Sequence, residues 1–189
     1  STLFPYTTLF RSKSGLQGAN LAAARLSHAQ FTDTSLRSAS LPGVSLERTV
    51  LHKCDLSGAD LSGVHFDKTI LFEVQMTEAD LGGAKFTHVV LMNADFSGCN
   101  FKGFAAQQAF LQGGKFAGLD LSAASFIACQ LRNCNLTGAN LQKANLDRTG
   151  FMEAMLERAN LGGAKLTNTV FSAAKLREAD LSGDRKSVV

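Results

Sequence analysis

From Leu16 to Leu181 a large apolar residue recurs at every fifth position, and all 34 of these centres are Leu, Phe or Met except Ala106. Two residues before each centre, from Ala19 to Ala179, stands Ala, Thr, Val, Cys or Gly, with Phe104 and Leu119 the only departures. No insertion shifts the beat. A period of five matches neither a helix, at about 3.6, nor a plain strand, at about 2. It fits a short extended piece whose small and large residues, two apart, face the same side, followed by a two-residue corner. Twelve of the 17 glycines, among them Gly58, Gly83 and Gly138, stand two after a centre, where a turn can demand positive φ.

A chain that turns inward at every fifth residue winds around its own core, and successive coils satisfy each other's backbone groups as parallel strands do. The result is a solenoid. A second period sets the size of one coil. One residue before the centre, Val50, Ile70, Val90, Phe110 and Val170 are apolar on a 20-residue step, while Asn20, Asp60, Asp80, Asn100, Asp120, Asn140, Asn160 and Asp180 follow the same step on another phase. Four pentapeptides therefore close one coil with four faces.

The residues "ADL" at Ala59, Asp60 and Leu61 and "ANL" at Ala139, Asn140 and Leu141 follow a motif of a small residue, Asp or Asn, Leu or Phe, and two variable positions. In this the chain resembles the pentapeptide-repeat family. The resemblance implies an all-β, right-handed quadrilateral parallel β-helix, with the repeat running over residues 13–183. About eight and a half coils some 4.8 Å apart give a rod roughly 40 Å long.

Leu and Phe columns should fill the interior, with Phe66, Phe86 and Phe126 stacked on one face. Ala106 falls in that column where a large residue belongs, and Phe104 stands where a small one belongs. Interiors are packed too closely to leave such a gap empty, so Phe104 is expected to point inward and fill it.

Residues 1–12, STLFPYTTLFRS, share nothing with the repeat and resemble translated sequencing-adapter sequence, as do residues 184–189, DRKSVV. Both are expected to be non-native tails, the first disordered, and the chain a fragment of a longer bacterial protein. Without the tails the net charge falls from +3 to +1. A near-neutral surface argues against direct nucleic-acid binding and against strong attraction to an anionic membrane. No apolar run approaches the roughly 20 residues of a membrane span. A cytoplasmic protein is expected.

Residues that could carry chemistry mostly have a structural reading. Cys54, Cys99, Cys129 and Cys134 all occupy the small inward position, which suits buried free thiols rather than a disulfide framework. His28, His52, His65 and His88 are scattered and form no ligand spacing with cysteine or with one another. Asp60 and Asp80 should be stacked neighbours in a solvated Asp/Asn ladder bonded to local backbone, not a general acid and base. The two "GGAK" stretches, Gly82–Lys85 and Gly162–Lys165, lead into no helix and make no phosphate cradle. The expectation is a protein with no catalytic residue, no cofactor and no metal.

One outward feature stands above the repeat. Val50, Ile70, Val90, Phe110 and Val170, joined by Phe72, Met92 and Met152 after the centres, should form an apolar strip on one face. Such a strip on a water-facing surface points to a protein partner or a homodimer contact. The leading expectation is a non-enzymatic protein-binding or scaffold module. The family resemblance implies an alternative, a DNA-mimicking protein of the quinolone-resistance type that binds the topoisomerase gyrase, although such mimics are generally acidic along the rod. A further alternative is the repeat tail of a secreted effector or a secretion-system protein.

Overall fold

The computed structural model describes residues 10–13 and 15–183, and these form a parallel β-solenoid with a 20-residue coil. The strands are β1 (Phe10–Ser12), β2 (Gln30–Thr32), β3 (Val50–His52), β4 (His65–Asp67), β5 (Ile70–Phe72), β6 (Lys85–Thr87), β7 (Val90–Met92), β8 (Ala105–Gln107), β9 (Phe110–Gln112) and β10 (Ser125–Ile127). One face is the sheet β1-β2-β3-β5-β7-β9 and a second is β10-β8-β6-β4, every pair parallel and offset by one coil. The other two faces join their coils through single parallel bridges on the same step, one running from Gly15 to Lys175 and the other from Asn20 to Asn100 and again from Asp120 to Asp180. The circuit thus closes after four pentapeptides, as the second period requires.

The strands proper cover only about five turns, from β1 to β9, fewer than the eight and a half coils expected; beyond them the 20-residue step continues as single bridges. A local competition contributes to the difference. Wherever Asp or Asn precedes a centre, its side chain accepts the backbone N–H of the residue after the centre, as Asp60 does from Ser62 at 3.0 Å and Asn100 from Lys102 at 3.0 Å. That N–H is then bonded within its own coil rather than to the neighbouring one, and the ladder shrinks to one bridge. None of the ten strands begins with Asp or Asn.

Corners follow a common backbone pattern. Twelve glycines lie at φ between 63° and 79°, and 22 non-glycine residues of the same phase lie between 47° and 66°. Most corners carry a tight bond from the residue three after a centre back to that centre, such as Ala59 N–H to the Leu56 carbonyl at 3.0 Å. The corners after Leu51, Phe66, Leu71, Phe86, Leu91, Ala106, Leu111 and Phe126 lack it among the described residues, and each of these follows a strand.

The core is the predicted set of columns, with centres from Leu26 to Leu166 buried. Phe104 is buried, with its ring 5.0 Å from Phe86 and 5.5 Å from Phe126. It fills the place that Ala106 leaves. Several polar residues at the small inward position donate to centre carbonyls one coil back, as the Thr49 hydroxyl does to Leu26 at 2.8 Å and the Cys99 thiol to Met76 at 2.7 Å.

One part of the segment read as a tail enters the fold. Phe10–Ser12 pairs in parallel with Gln30–Thr32, so these three residues are strand rather than disordered chain. The open edge of β2 offers unpaired backbone groups, which an extended segment of almost any sequence can meet. The rest of the tail readings, on residues 1–9 and 184–189, lie outside the described residues. No helix among the described residues is long and apolar enough to cross a membrane.

Candidate binding face

The sheet containing β3, β5, β7 and β9 places the predicted strip in two outward columns. Val50, Ile70, Val90 and Phe110 stand in strict register, and single bridges extend that column through Gln130 and Gly150 to Val170. The second column runs His52, Phe72, Met92 and Gln112 in register, with Met152 two coils further on. Strand geometry forces this arrangement. The centre residue points into the core, so the residues on either side of it must point out.

The large apolar side chains exposed among the described residues are Ile70, Val90, Phe110, Met152 and Val170, ranging from 38% for Val90 to 58% for Phe110. All five belong to the predicted strip. Val50, Phe72 and Met92 lie in the same two columns but are half-buried. The strip is not continuous, because Gln130 and Gly150 interrupt it between Phe110 and Val170. A Cβ on Gly150 would overlap the Gln130 amide, which shows that Gln130 lies across the missing side chain. An open groove results there, with Phe110 and Met152 as its apolar walls and Gln112 and Arg132 among its polar ones. Arg132 is held by Glu153 at 2.9 Å. Sequence reasoning also missed His52, whose ring stacks on Phe72 at 5.4 Å and 28° and extends the second column to the coil of Val50. The 20-residue step placed His52 in that column, but the stacking depends on rotamers that the step does not encode.

The opposite character belongs to the flat face that carries the Asp/Asn ladder. Asp60 and Asp80 are paired neighbours. The Asp80 carboxylate accepts from the Gly82 N–H at 2.8 Å and from the Asn100 amide at 2.8 Å, and Asp120 accepts from Asn140 at 2.9 Å. The Ser122 hydroxyl and N–H hold Asp120 below the usual carboxylate range. On the adjoining face, burial pushes Asp95 upward, but the Ser97 hydroxyl, the Lys115 ammonium and the Ser97 N–H together outweigh it and bring it down. Asp95 and Asp120 are thus charged acceptors with structural partners rather than groups poised to exchange protons.

The four thiols are free and buried. Burial pushes Cys99 and Cys134 up to about 12 and Cys129 up to about 11, and it raises Cys54 as well. They stay protonated at neutral pH, whereas a nucleophile or metal ligand must be thiolate. The histidines remain apart. His88 sits 3.5 Å from Asp67, and no cluster of three His, Cys, Asp or Glu among the described residues is arranged to hold a metal ion.

Comparison with known proteins bears on this geometry. The family model described as pentapeptide repeats matches eight copies, over residues 16–52, 29–67, 69–104, 115–151 and 154–183. The chain belongs to the pentapeptide-repeat family. Among solved structures, this pentapeptide-repeat protein is similar to a trypsin-treated variant of QnrB1, a plasmid-mediated fluoroquinolone resistance protein, with TM-score 0.81 and 18% identity over 96% of this chain and 92% of that one. A second trypsin-treated QnrB1 variant gives TM-score 0.52 and 17% identity over 92% and 89%. HetL, a pentapeptide-repeat protein of the cyanobacterium Nostoc involved in heterocyst differentiation regulation, gives 0.45 and 24% over 94% and 88%. At these identities the likeness is one of fold. No curated protein sequence matches the chain.

Proposed function

We propose that this pentapeptide-repeat protein is a non-enzymatic binding module whose contact surface is the strip centred on Ile70, Val90 and Phe110. One observation carries the reading: the exposed large apolar side chains of the described residues all lie on a single face. Exposed apolar residues scattered over a surface need no explanation, but a single aligned set does. Three features fit a scaffold better than an enzyme. The thiols are buried, the ladder carboxylates such as Asp80 accept backbone N–H groups, and the Phe110–Met152 groove is open where catalytic pockets enclose their substrates.

A photo-crosslinking residue placed at Phe110, and separately at Asn140 on the flat face, tests this in lysate of the source cells. Expected are discrete protein adducts from position 110, lost when Ile70→Lys is added and absent from position 140. No adduct at 110, or the same adducts from both positions, overturns the reading.

A DNA-mimicking, gyrase-binding role has one observation in its favour, the aligned carboxylates Asp60, Asp80, Asp120 and Asp180 of the ladder. Asn100, Asn140 and Asn160 dilute that column, and the low net charge gives it no long-range support. Inhibition of gyrase supercoiling by this protein, unaffected by Ile70→Lys, would favour that role over the strip.

A further inference from the structure

One long edge of the rod is unlike the other three. It runs between the ladder face and the sheet β10-β8-β6-β4, and each coil gives it three outward residues: the one after the ladder-face centre, the corner residue, and the one before the next centre. From Ala22 to Gly183 none of these positions holds Asp or Glu, whereas every other edge carries carboxylates. They hold instead Arg25, His65, Lys85, Lys102, Lys143 and Lys165, all exposed, set chiefly among Gly, Ala and Ser.

The lysines and the arginine of this edge are also unpaired. Among the described residues, every Lys or Arg on the other three edges except Lys13 and Lys175 stands within 4.0 Å of a carboxylate, and none of Arg25, Lys85, Lys102, Lys143 and Lys165 does. The carboxylates bordering the edge are already engaged. On the sheet side Glu47, Asp67 and Asp147 stand 3.8, 3.9 and 3.1 Å from Arg48, Lys68 and Arg148. On the ladder side Asp60 accepts the Ser62 N–H and hydroxyl, and Asp80 accepts the Gly82 N–H and the Asn100 amide.

We infer that this edge binds an acidic segment of a protein partner, laid in extended form along the rod. Coils rise about 4.8 Å, so Lys85, Lys102, Lys143 and Lys165 span about 19 Å, the reach of about six extended residues. A chain with Asp or Glu at alternate residues can set its carboxylates against these ammonium groups, and no carboxylate on the edge opposes it. The small Gly83, Gly103, Ala105, Ala123 and Ser125 between the lysines let its backbone lie close. The edge takes no residue of the apolar strip, so this surface is additional to the one probed at position 110.

Two features select a peptide over other polyanions. The Asp/Asn ladder on one side and Glu47, Asp67 and Asp147 on the other confine the free positive charge to a line, which suits a single narrow chain. A nucleic-acid duplex or an anionic membrane, being broader, would press its phosphates onto those carboxylates. A single-stranded nucleic acid is narrow enough, but such strands gain affinity by stacking bases on aromatic side chains, and the edge carries no Phe, Tyr or Trp. Exposed ion pairs are individually weak, so the affinity comes from several at once and falls with salt.

Fluorescence anisotropy of a labelled decaglutamate peptide, titrated at low salt with the whole 189-residue chain up to several hundred micromolar, tests the proposal. Expected is saturable binding that Lys85→Glu/Lys102→Glu weakens about tenfold. Lys13→Glu/Lys175→Glu, the same charge change at the two unpaired lysines of other edges, should leave it within about threefold of the parent. Circular dichroism of each variant confirms that the solenoid is intact. No binding of decaglutamate overturns the proposal, and equal losses in the two double variants reduce it to general charge attraction and overturn it as well. Labelled decathymidylate binding more tightly than decaglutamate, or phosphatidylserine vesicles bound by the parent and lost in Lys85→Glu/Lys102→Glu, would replace the acidic peptide with a nucleic acid or a membrane. Crosslinking at position 110 is read separately, so either surface can fail alone.

Discussion

Phe104 and Ala106 show how far single residues can depart from the repeat while their sum keeps to it. The five-residue period assigns position 106 a large side chain and position 104 a small one, and the chain inverts both. Because the core is close-packed, the inversion is legible as a compensated exchange, and the ring does stand between Phe86 and Phe126. Phe104→Ala leaves two small residues facing one space and should cost about 3 to 5 kcal/mol in chemical denaturation. Adding Ala106→Phe should recover most of that loss, since the repeat then has its usual order of small and large. A single variant within a few tenths of the parent, or a double variant no better than the single, would show that the ring is not filling that space. Other residue-scale contacts were beyond the sequence. The stacking of His52 on Phe72 and the lie of Gln130 across Gly150 depend on rotamers that no period encodes.

At the scale of the element, the period located every corner but did not distinguish two kinds. Glycine marked the positive-φ position in twelve corners, and the same conformation is imposed on 22 other residues by the closed circuit on either side. For an L-residue that conformation costs about 1 to 2 kcal/mol, which glycine avoids while losing about 0.5 to 1 kcal/mol of chain freedom. Ala123→Gly at an exposed corner, φ 56°, should therefore raise stability by up to about 1 kcal/mol, and Gly103→Ala one coil earlier should lower it by a similar amount. Thermal melts showing the opposite signs would indicate that contacts, not backbone conformation, decide those corners. Part of the division between strands and single bridges was present in the sequence as the placement of Asp and Asn before the centres, although Lys165 and Val170 also stand at single bridges. Its meaning became visible once each of those side chains was found on the N–H two residues ahead, as Asp180 is on Ser182 at 2.8 Å.

The whole molecule is a stack in which each coil touches only its neighbours, and its surface is four columns of faces. The polar ladder and the apolar strip were both legible because a side chain beside an inward centre can only face out. What the period could not supply was the relief of the strip: the half-burial of Val50, Phe72 and Met92, and the break at Gln130 and Gly150. Stability in such a stack is a sum over coils and the contacts between them, so lengthening the rod is tolerated where the columns stay aligned.

The uninterrupted circuit also makes the chain a counter of angle. A pentapeptide inserted after Gly98 would rotate everything downstream by a quarter turn, carrying Phe110 and Val170 off the side that bears Ile70 and Val90, while the core columns close again. Four inserted pentapeptides would restore the heading. Both proteins should melt as cooperatively as the parent, and only the longer insertion should keep the crosslink pattern of position 110. A molecule built on this rule can gain length without altering its surface only in whole revolutions.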